Sequence, residues 1–295
     1  MEAPNGSLSL SARGRARRRL VTNRVAELVA TVAAFGAVAV LAIVVWSVLQ
    51  RAIPALNLDL FTNVQATYGE TGGGISNAIV GSVIIVAIAT ALALPMGVLV
   101  AIYVSEFAHE QIKRYVRLAL DVLNGVPSIV IGIFVYALLV LGSGYAAWKA
   151  SFALAIIMLP LVSRSTMEVL NLVPNSLREA SFALGVSKWR TVLFVVFPTV
   201  RGGILTGTTL AVARAAGETA PLLFTTSVFL NSVVTDPRQA MDTLPFTIFI
   251  YSEAADKTLN DQAWAAAFIL MAFVLVSSLT ARFLLSRSER KLRGR

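Results

Sequence analysis

Apolar residues in this chain come in runs too long for a soluble core, divided by short polar stretches. Leu28 to Gln50 is an uncharged run of 23 residues, about the ~20 that a spanning helix needs. It is longer than a secretory h-region and no A-x-A site follows, so it reads as an uncleaved first span. Ile75 to Ser105 is likewise free of charge, and Pro95 with Gly97 is expected to kink it where neighbouring helices cover the freed carbonyl. The third run, Val122 to Trp148, opens with Asn124, Gly125, Pro127 and Ser128, so its start need not be regular helix. In the fourth only Ala150 to Ser163 is uncharged. Fourteen residues are too few to span, which places Arg164 and Glu168 near the inner interface, with Arg164 snorkelling outward. A fifth run, from near Gly203 to Asn231, is interrupted only by Arg214 and Glu218, and a sixth covers Gln262 to Ala281. The pattern predicts an all-α polytopic membrane protein of six spans, one domain over residues 25–286.

The polar stretches set the orientation. Residues 1–24, rich in Gly, Ser and Arg, are expected to be a disordered cytoplasmic tail, and 287–295 a basic cytoplasmic C-terminus. Residues 51–74 and 232–261 read as external loops, Glu106 to Arg117 as a cytoplasmic turn, and Gly142 to Gly144 as a short external turn. The apolar patch LPFTIFIY at 244–251 is far shorter than a span and is expected to pack at the outer surface, with a re-entrant segment as the alternative. Zero Cys and a single His109 exclude a Cys/His metal site and a disulfide framework. A net charge of +9 raises nucleic acid, but the basic residues sit at the ends of apolar runs, and 20 of the 25 fall on the segments read as cytoplasmic. Both termini are therefore expected inside.

Two stretches carry candidate chemistry. Glu179 to Gly207, EASFALGVSKWRTVLFVVFPTVRGGILTG, is a polar island between apolar runs. Glu179, Ala180, Phe182 and Ala183 have helical spacing, and Gly185 ends that helix by taking the left-handed conformation. Ser187 is placed to cap a second helix, and Pro198 to turn the chain back toward the bilayer. By spacing alone this is a pair of surface amphipathic helices; the order Glu-Ala-small, three residues, Gly, then an apolar stretch ending in Pro resembles the cytoplasmic EAA loop of ABC importer permeases. The second stretch, VARAAGETAPLL at 212–223, puts Arg214 and Glu218 four residues apart, on one helix face and within pairing distance. Charges at membrane depth cost about 2.5–3.5 kcal/mol for Arg and face cavities or partners. The pair is either a pin between helices or an anion site, with Arg214 as a planar multi-donor fork, Glu218 as its compensating carboxylate, Thr219 adding a hydroxyl and Pro221 breaking the helix.

Further motifs narrow the resemblance. GGISNAIVGS at 73–82, MGVLVAIYVSEFA at 96–108, NGVPSIVIGIF at 124–134, RSTMEVLNLVPNSLREASFALGVSKWRT at 164–191 and GETAPLL at 217–223 together resemble the PstA family, permease subunits of phosphate-specific ABC importers. The resemblance implies a type I importer fold with its core at about 73–286 and no catalytic residue in the chain. It implies partners: a homologous PstC-like permease, two PstB-like ATPases that bind ATP and Mg, and an external PstS-like phosphate-binding protein. It implies ATPase coupling at Glu179, Ala180, Ser181 and Gly185, while the residues' own chemistry makes Arg214, Glu218 and Thr219, with Arg164 as the next candidate, the expected substrate pathway and Pro127, Pro198 and Pro221 the expected helix breaks or kinks. The chain lacks a P-loop, in keeping with separate ATPase subunits. Ser181 stands where the loop's second alanine is usual, and the arginine-rich tail is unaccounted for. A permease for molybdate or sulfate, or a non-transporting scaffold, are the rival readings.

Overall fold

The computed structural model describes residues 15–65, 72–227 and 232–293, and no strand occurs among them. The long helix α1, Arg15–Ala52, is apolar all round from Leu28 onward, with Leu28, Val32, Phe35 and Leu41 exposed, as suits a lipid-facing segment. Residues up to Gln50 form one unit and those from Arg51 a second. The expected tail therefore ends early: Arg15 to Arg24 are already helical, and the disorder expected for 1–14 lies outside the described residues.

The second unit starts with a 3₁₀ turn at Ile53–Ala55 and the short α2, Leu58–Thr62, whose N-terminal amide at Leu60 donates to the side chain of Asn57. Next comes α3, Ser76–Ile102, which runs on through a wide π-helical turn to Phe107. Of the expected turn at 106–117 only Ala108 and His109 are non-helical: Glu106 and Phe107 end the π turn, and the rest is the start of α4, Glu110–Gly125. Its charges at 110, 113, 114, 117 and 121 recur at helical spacing on one face, with Tyr115, Leu118 and Val122 exposed beside them, so a stretch that reads as polar by composition is an amphipathic helix. Val126 and Pro127 break the chain. Then α5, Ser128–Val135, continues through a π turn to Val140, bent 93° from α4. The third run is thus broken where Pro127 stands, and it ends before Gly142 and Gly144, both at positive φ.

Helix α6, Ala147–Asn171, carries Arg164 within it, as expected. Two short helices, α7 (Asn175–Ala183) and α8 (Lys188–Thr191), make up the polar island. The fifth span differs from its expectation at both ends. It starts at Lys188, because a π turn at Val192–Val196 joins α8 to α9, Phe197–Ala216. Pro198 lies inside this continuous helix, directly behind the wide π turn, and the helix runs on through it, so it neither breaks the helix nor turns the chain. The run then stops at Ala216; Pro221 comes later, heading the one-turn helix α10, Leu222–Thr225. The patch at 244–251 is the helix α11, Leu244–Ser252, and α12, Lys257–Arg293, extends the sixth run without interruption into residues expected to form a separate C-terminal tail. Among the described residues five helices are long and apolar enough to cross a membrane, or six if the bent pair counts as one span.

Helices α3, α6 and α9 pack through small residues: Ala89, Ala93, Ala150, Ala153, Ala211 and Ala215 are all buried in one cluster around Leu154 and Met158. Lipid supplies no hydrophobic drive between helices, so close backbone approach takes over that role. At the end where α3 begins, the segments flanking the membrane helices lock together. The Gln65 amide donates to the Asp242 carboxylate and, at 3.2 Å, to the Thr247 hydroxyl. The amide of Leu244 donates to Ser82 Oγ at 2.8 Å, and the Gln262 amide to the carbonyls of Gly72 and Gly73 at 3.2 Å. Burial pushes the Asp242 carboxyl up to about 6, against the opposing pull of bonds from the Thr243 amide, Thr247 and Gln65.

This buried acid generates a pH dependence. The folded chain holds the Asp242 proton more tightly than the unfolded chain, so its contribution to stability is fully present below about pH 4 and is lost as pH rises through 6. The shift corresponds to a difference on the order of 3 kcal/mol across that window. Thermal unfolding of the purified protein from pH 4 to 7 is expected to show the slope, and Asp242→Asn to flatten it; identical slopes would mean that Asp242 is not held buried and ionisable.

Candidate functional site

The break after α9 organises the first candidate site. Gly217 closes the helix with its N–H on the carbonyls of Arg214 and Ala215, leaving Arg214 in the last turn and Glu218 just beyond it. The Arg214 guanidinium sits where the helix dipole favours a cation. It faces Glu218 at 3.7 Å (Nε to Oε1), so the pair expected from spacing is formed, but across a helix end instead of along one face. Contrary to expectation, Arg214 is not buried: its side chain is 55% exposed against 19% for Glu218. Thr219 follows, half-buried, its carbonyl accepting from the amides of Leu222 and Leu223. Pro221 holds this turn against α5, where a Cβ on Gly132 would lie 2.7 Å from Pro221 Cα. Only glycine permits that approach.

Arg164 does not join this group. It forms a separate ion pair with Asp121 at the far end of α4, both side chains about half exposed. Residue spacing gave no sign of Asp121 as its partner, although an acid four residues before Gly125 in an otherwise apolar stretch was a signal that a cation had to meet it.

The polar island closes at Gly185 as its sequence implies, but differs from expectation at Ser187 and Pro198. At the end of α7, Gly185 takes φ +75°, its N–H donating to the Phe182 carbonyl at 2.9 Å while the Val186 N–H donates to the Ser181 carbonyl at 3.2 Å. This is the paired closure that a left-handed residue makes at a helix end. Ser187 occupies the cap of α8 in extended conformation without a side-chain capping bond. Ser181 is buried, and its hydroxyl shares a 2.8 Å bond with that of Thr191, tying α7 to the root of the fifth span. Glu179 and Ala180 are exposed, as are Phe182, Trp189 and above all Leu184, at 83%.

Sequence reasoning missed the residue that anchors this loop. Arg178, one position before Glu179, is paired with Glu106 at 2.6 Å, with side-chain exposures of only 17% and 6%. Glu106 closes the uncharged run that begins at Ile75 and therefore required a counter-charge once buried, which was the available signal. Among the described residues no cluster of three or more His, Asp or Glu could hold a metal ion.

Residues 93–294 match the family described as the binding-protein-dependent transport system inner membrane component. A phosphate transport system permease protein PstA of Pasteurella multocida is 40% identical over 243 residues, covering 81% of this chain and 85% of its own length. A protein of the same name from Xylella fastidiosa is 36% identical over 278 residues, covering 92% and 95%. Among solved structures, a chain of the inward-facing MetNI methionine ABC transporter superposes with a TM-score of 0.57 at 16% identity, over 73% of this chain and 94% of that one, a likeness of fold.

The packing of Pro221 on Gly132 gives a direct test of the break. Gly132→Val would drive a side chain into backbone that cannot move aside, and overpacking of this kind costs about 1–3 kcal/mol. The measurement is thermal unfolding in detergent, with Gly36→Val, in α1 where nothing lies within 4 Å, controlling for the replacement of a helical glycine alone. Equal destabilisation in both variants would mean that the packing on Pro221 does not hold the turn.

Proposed function

Because this chain belongs to the family of binding-protein-dependent transport system inner membrane components, we propose that it is the permease subunit of an ATP-driven inorganic phosphate importer, forming half of the path through the membrane. The likeness to permeases named for phosphate transport, over four-fifths or more of the chain, carries this reading. The chain is a multi-pass membrane protein that works with other ABC components and is not itself an enzyme.

The finer assignments extend this reading and rest on the family resemblance and the charge pattern. The partners are a homologous PstC-like permease that completes the path, two PstB-like ATPases that bind ATP and Mg, and an external PstS-like phosphate-binding protein. Both termini and the α7–α8 loop face the cytoplasm, in line with the distribution of basic residues. Glu179, Ala180, Ser181 and Gly185 serve ATPase coupling: Glu179, Ala180 and Gly185 lie on the surface that meets an ATPase, with Leu184 as its apolar contact, and buried Ser181 fastens that surface from beneath. The open Arg214 fork supports a role toward a tetrahedral oxyanion, since a guanidinium that merely pinned helices would be sealed between them. Glu218 balances the empty arginine, Thr219 offers a hydroxyl and Arg164 is a second station. Affinity along such a path is weak, because a site that conducts must release what it binds.

Uptake of labelled phosphate, sulfate and molybdate by cells with and without this chain tests the reading: loss of phosphate uptake alone is expected, and loss of another oxyanion instead would overturn it. The pathway assignment predicts that Arg214→Met with Glu218→Leu assembles yet loses phosphate uptake by roughly tenfold or more, the factor for one charge-assisted hydrogen bond. Near-normal uptake per assembled complex would reduce the pair to a structural pin.

A further inference from the structure

Arg178 uses every donor it has. Its Nε–H is shared between the two carboxylate oxygens of Glu106 at 3.2 Å each. One Nη2 hydrogen goes to Glu106 Oε1 at 2.6 Å and the other to the Leu170 carbonyl at 3.2 Å, while Nη1 reaches the Val173 carbonyl at 2.7 Å and Asn175 Oδ1 at 3.4 Å. A guanidinium offers five N–H groups in a fixed plane, and here all five are engaged. The partners lie on different pieces of the chain. Glu106 is in the π-helical turn that ends the α3 span, Leu170 lies in the last turn of α6 and Val173 just past its end, and Asn175 opens α7.

The junction closes a short circuit of elements. Around it Val104, Leu120, Met167, Leu170, Val173 and Val196 are buried in one cluster, so the ion pair sits against apolar packing and not in open water. On its other side, α7 is joined to the fifth span through the Ser181–Thr191 hydroxyl bond. The two joints differ in kind. A buried charge pair with carbonyl bonds resists shear in several directions, whereas a single hydroxyl bond permits rotation.

We propose that Arg178 is the positioning residue of the coupling loop: it clamps α7 to the ends of the α3 and α6 spans, so that force applied to the exposed loop face moves those two spans as one body while the fifth span slides against them. The inference rests on the reading of α7 and α8 as the loop that meets an ATPase. It assigns the mechanical joint to a residue outside the exposed face. Lysine cannot substitute, because a point charge with three donors cannot hold a bidentate carboxylate and two carbonyls together.

The test is made on the full complex reconstituted in lipid vesicles, with Arg178→Lys and, separately, Glu106→Gln, which keeps the shape and one acceptor but removes the charge. Assembly, basal ATP hydrolysis, its stimulation by the loaded binding protein, and uptake are each measured. The clamp predicts that at least one variant assembles and hydrolyses ATP at the basal rate, while stimulation and uptake per complex both fall on the order of tenfold, as when a small misplacement arises far from the chemistry. Glu179→Gln, on the exposed face, should instead weaken ATPase recruitment. Uptake that follows the amount of assembled complex in both variants, or failure of both to assemble, would make Arg178 a structural residue only and overturn the proposal. Uptake is run with whichever oxyanion the wild-type complex carries, so an error in the substrate shows in the wild-type control and leaves the result for the clamp standing.

Discussion

A charge that enters an apolar medium must bring its partner with it, and among the described residues three arginines in or beside the membrane helices do so with three carboxylates: Arg164 with Asp121, Arg178 with Glu106, and Arg214 with Glu218. The cost of leaving any one of them alone is what orders the neighbouring helices. The pairs are graded in how tightly they are closed. Arg178 and Glu106 are sealed and fully bonded, Arg164 and Asp121 are half open, and Arg214 and Glu218 stand 3.7 Å apart with the guanidinium exposed. A sealed pair resists displacement and acts as a joint. An open one keeps donors for something else, which is why we assign the substrate to Arg214 and the mechanics to Arg178.

The helices that carry these pairs are held by close approach more than by bulk. Alanines line the meeting of α3, α6 and α9, and Gly132 lets α5 rest on the backbone of Pro221. Such packing fixes where α9 ends, and the end of α9 fixes where Arg214 points. Opposite the loop, the Gln65–Asp242–Thr247 bonds tie the segment before α3 to the segment leading into α11. The bundle is thus bonded at both ends by polar groups and packed between them by small apolar ones, the arrangement expected where water cannot satisfy a stray donor.

What could be read from sequence was local. The uncharged runs give the spans, the glycine at 185 gives the left-handed closure of α7, and a separation of four gives the meeting of Arg214 with Glu218. What could not be read was either tertiary or a matter of degree. Asp121 and Glu106 lie 43 and 72 residues from the arginines they meet, and no periodicity connects them. Pro198 reads as a stop because proline usually is one, yet it stands directly behind a π turn and the helix runs on through it. The charges from Glu110 onward read as a turn because their number outweighs their spacing. The exposure of Arg214 depends on α9 ending at Ala216, well before the proline at 221 that the sequence offers as the break.

On the proposed orientation, the two ends of the bundle serve different sides of the membrane: the loop with Leu184 faces the cytoplasm and its ATPase, and the Asp242 network faces outward to the binding protein. The chain has no cysteine, so single cysteines report without background. Leu184→Cys and Glu253→Cys both replace exposed residues, one at each end. With an impermeant thiol reagent on intact cells, this orientation predicts labelling at 253 and none at 184 until the membrane is opened. Labelling at 184 in intact cells, with 253 protected, would contradict it.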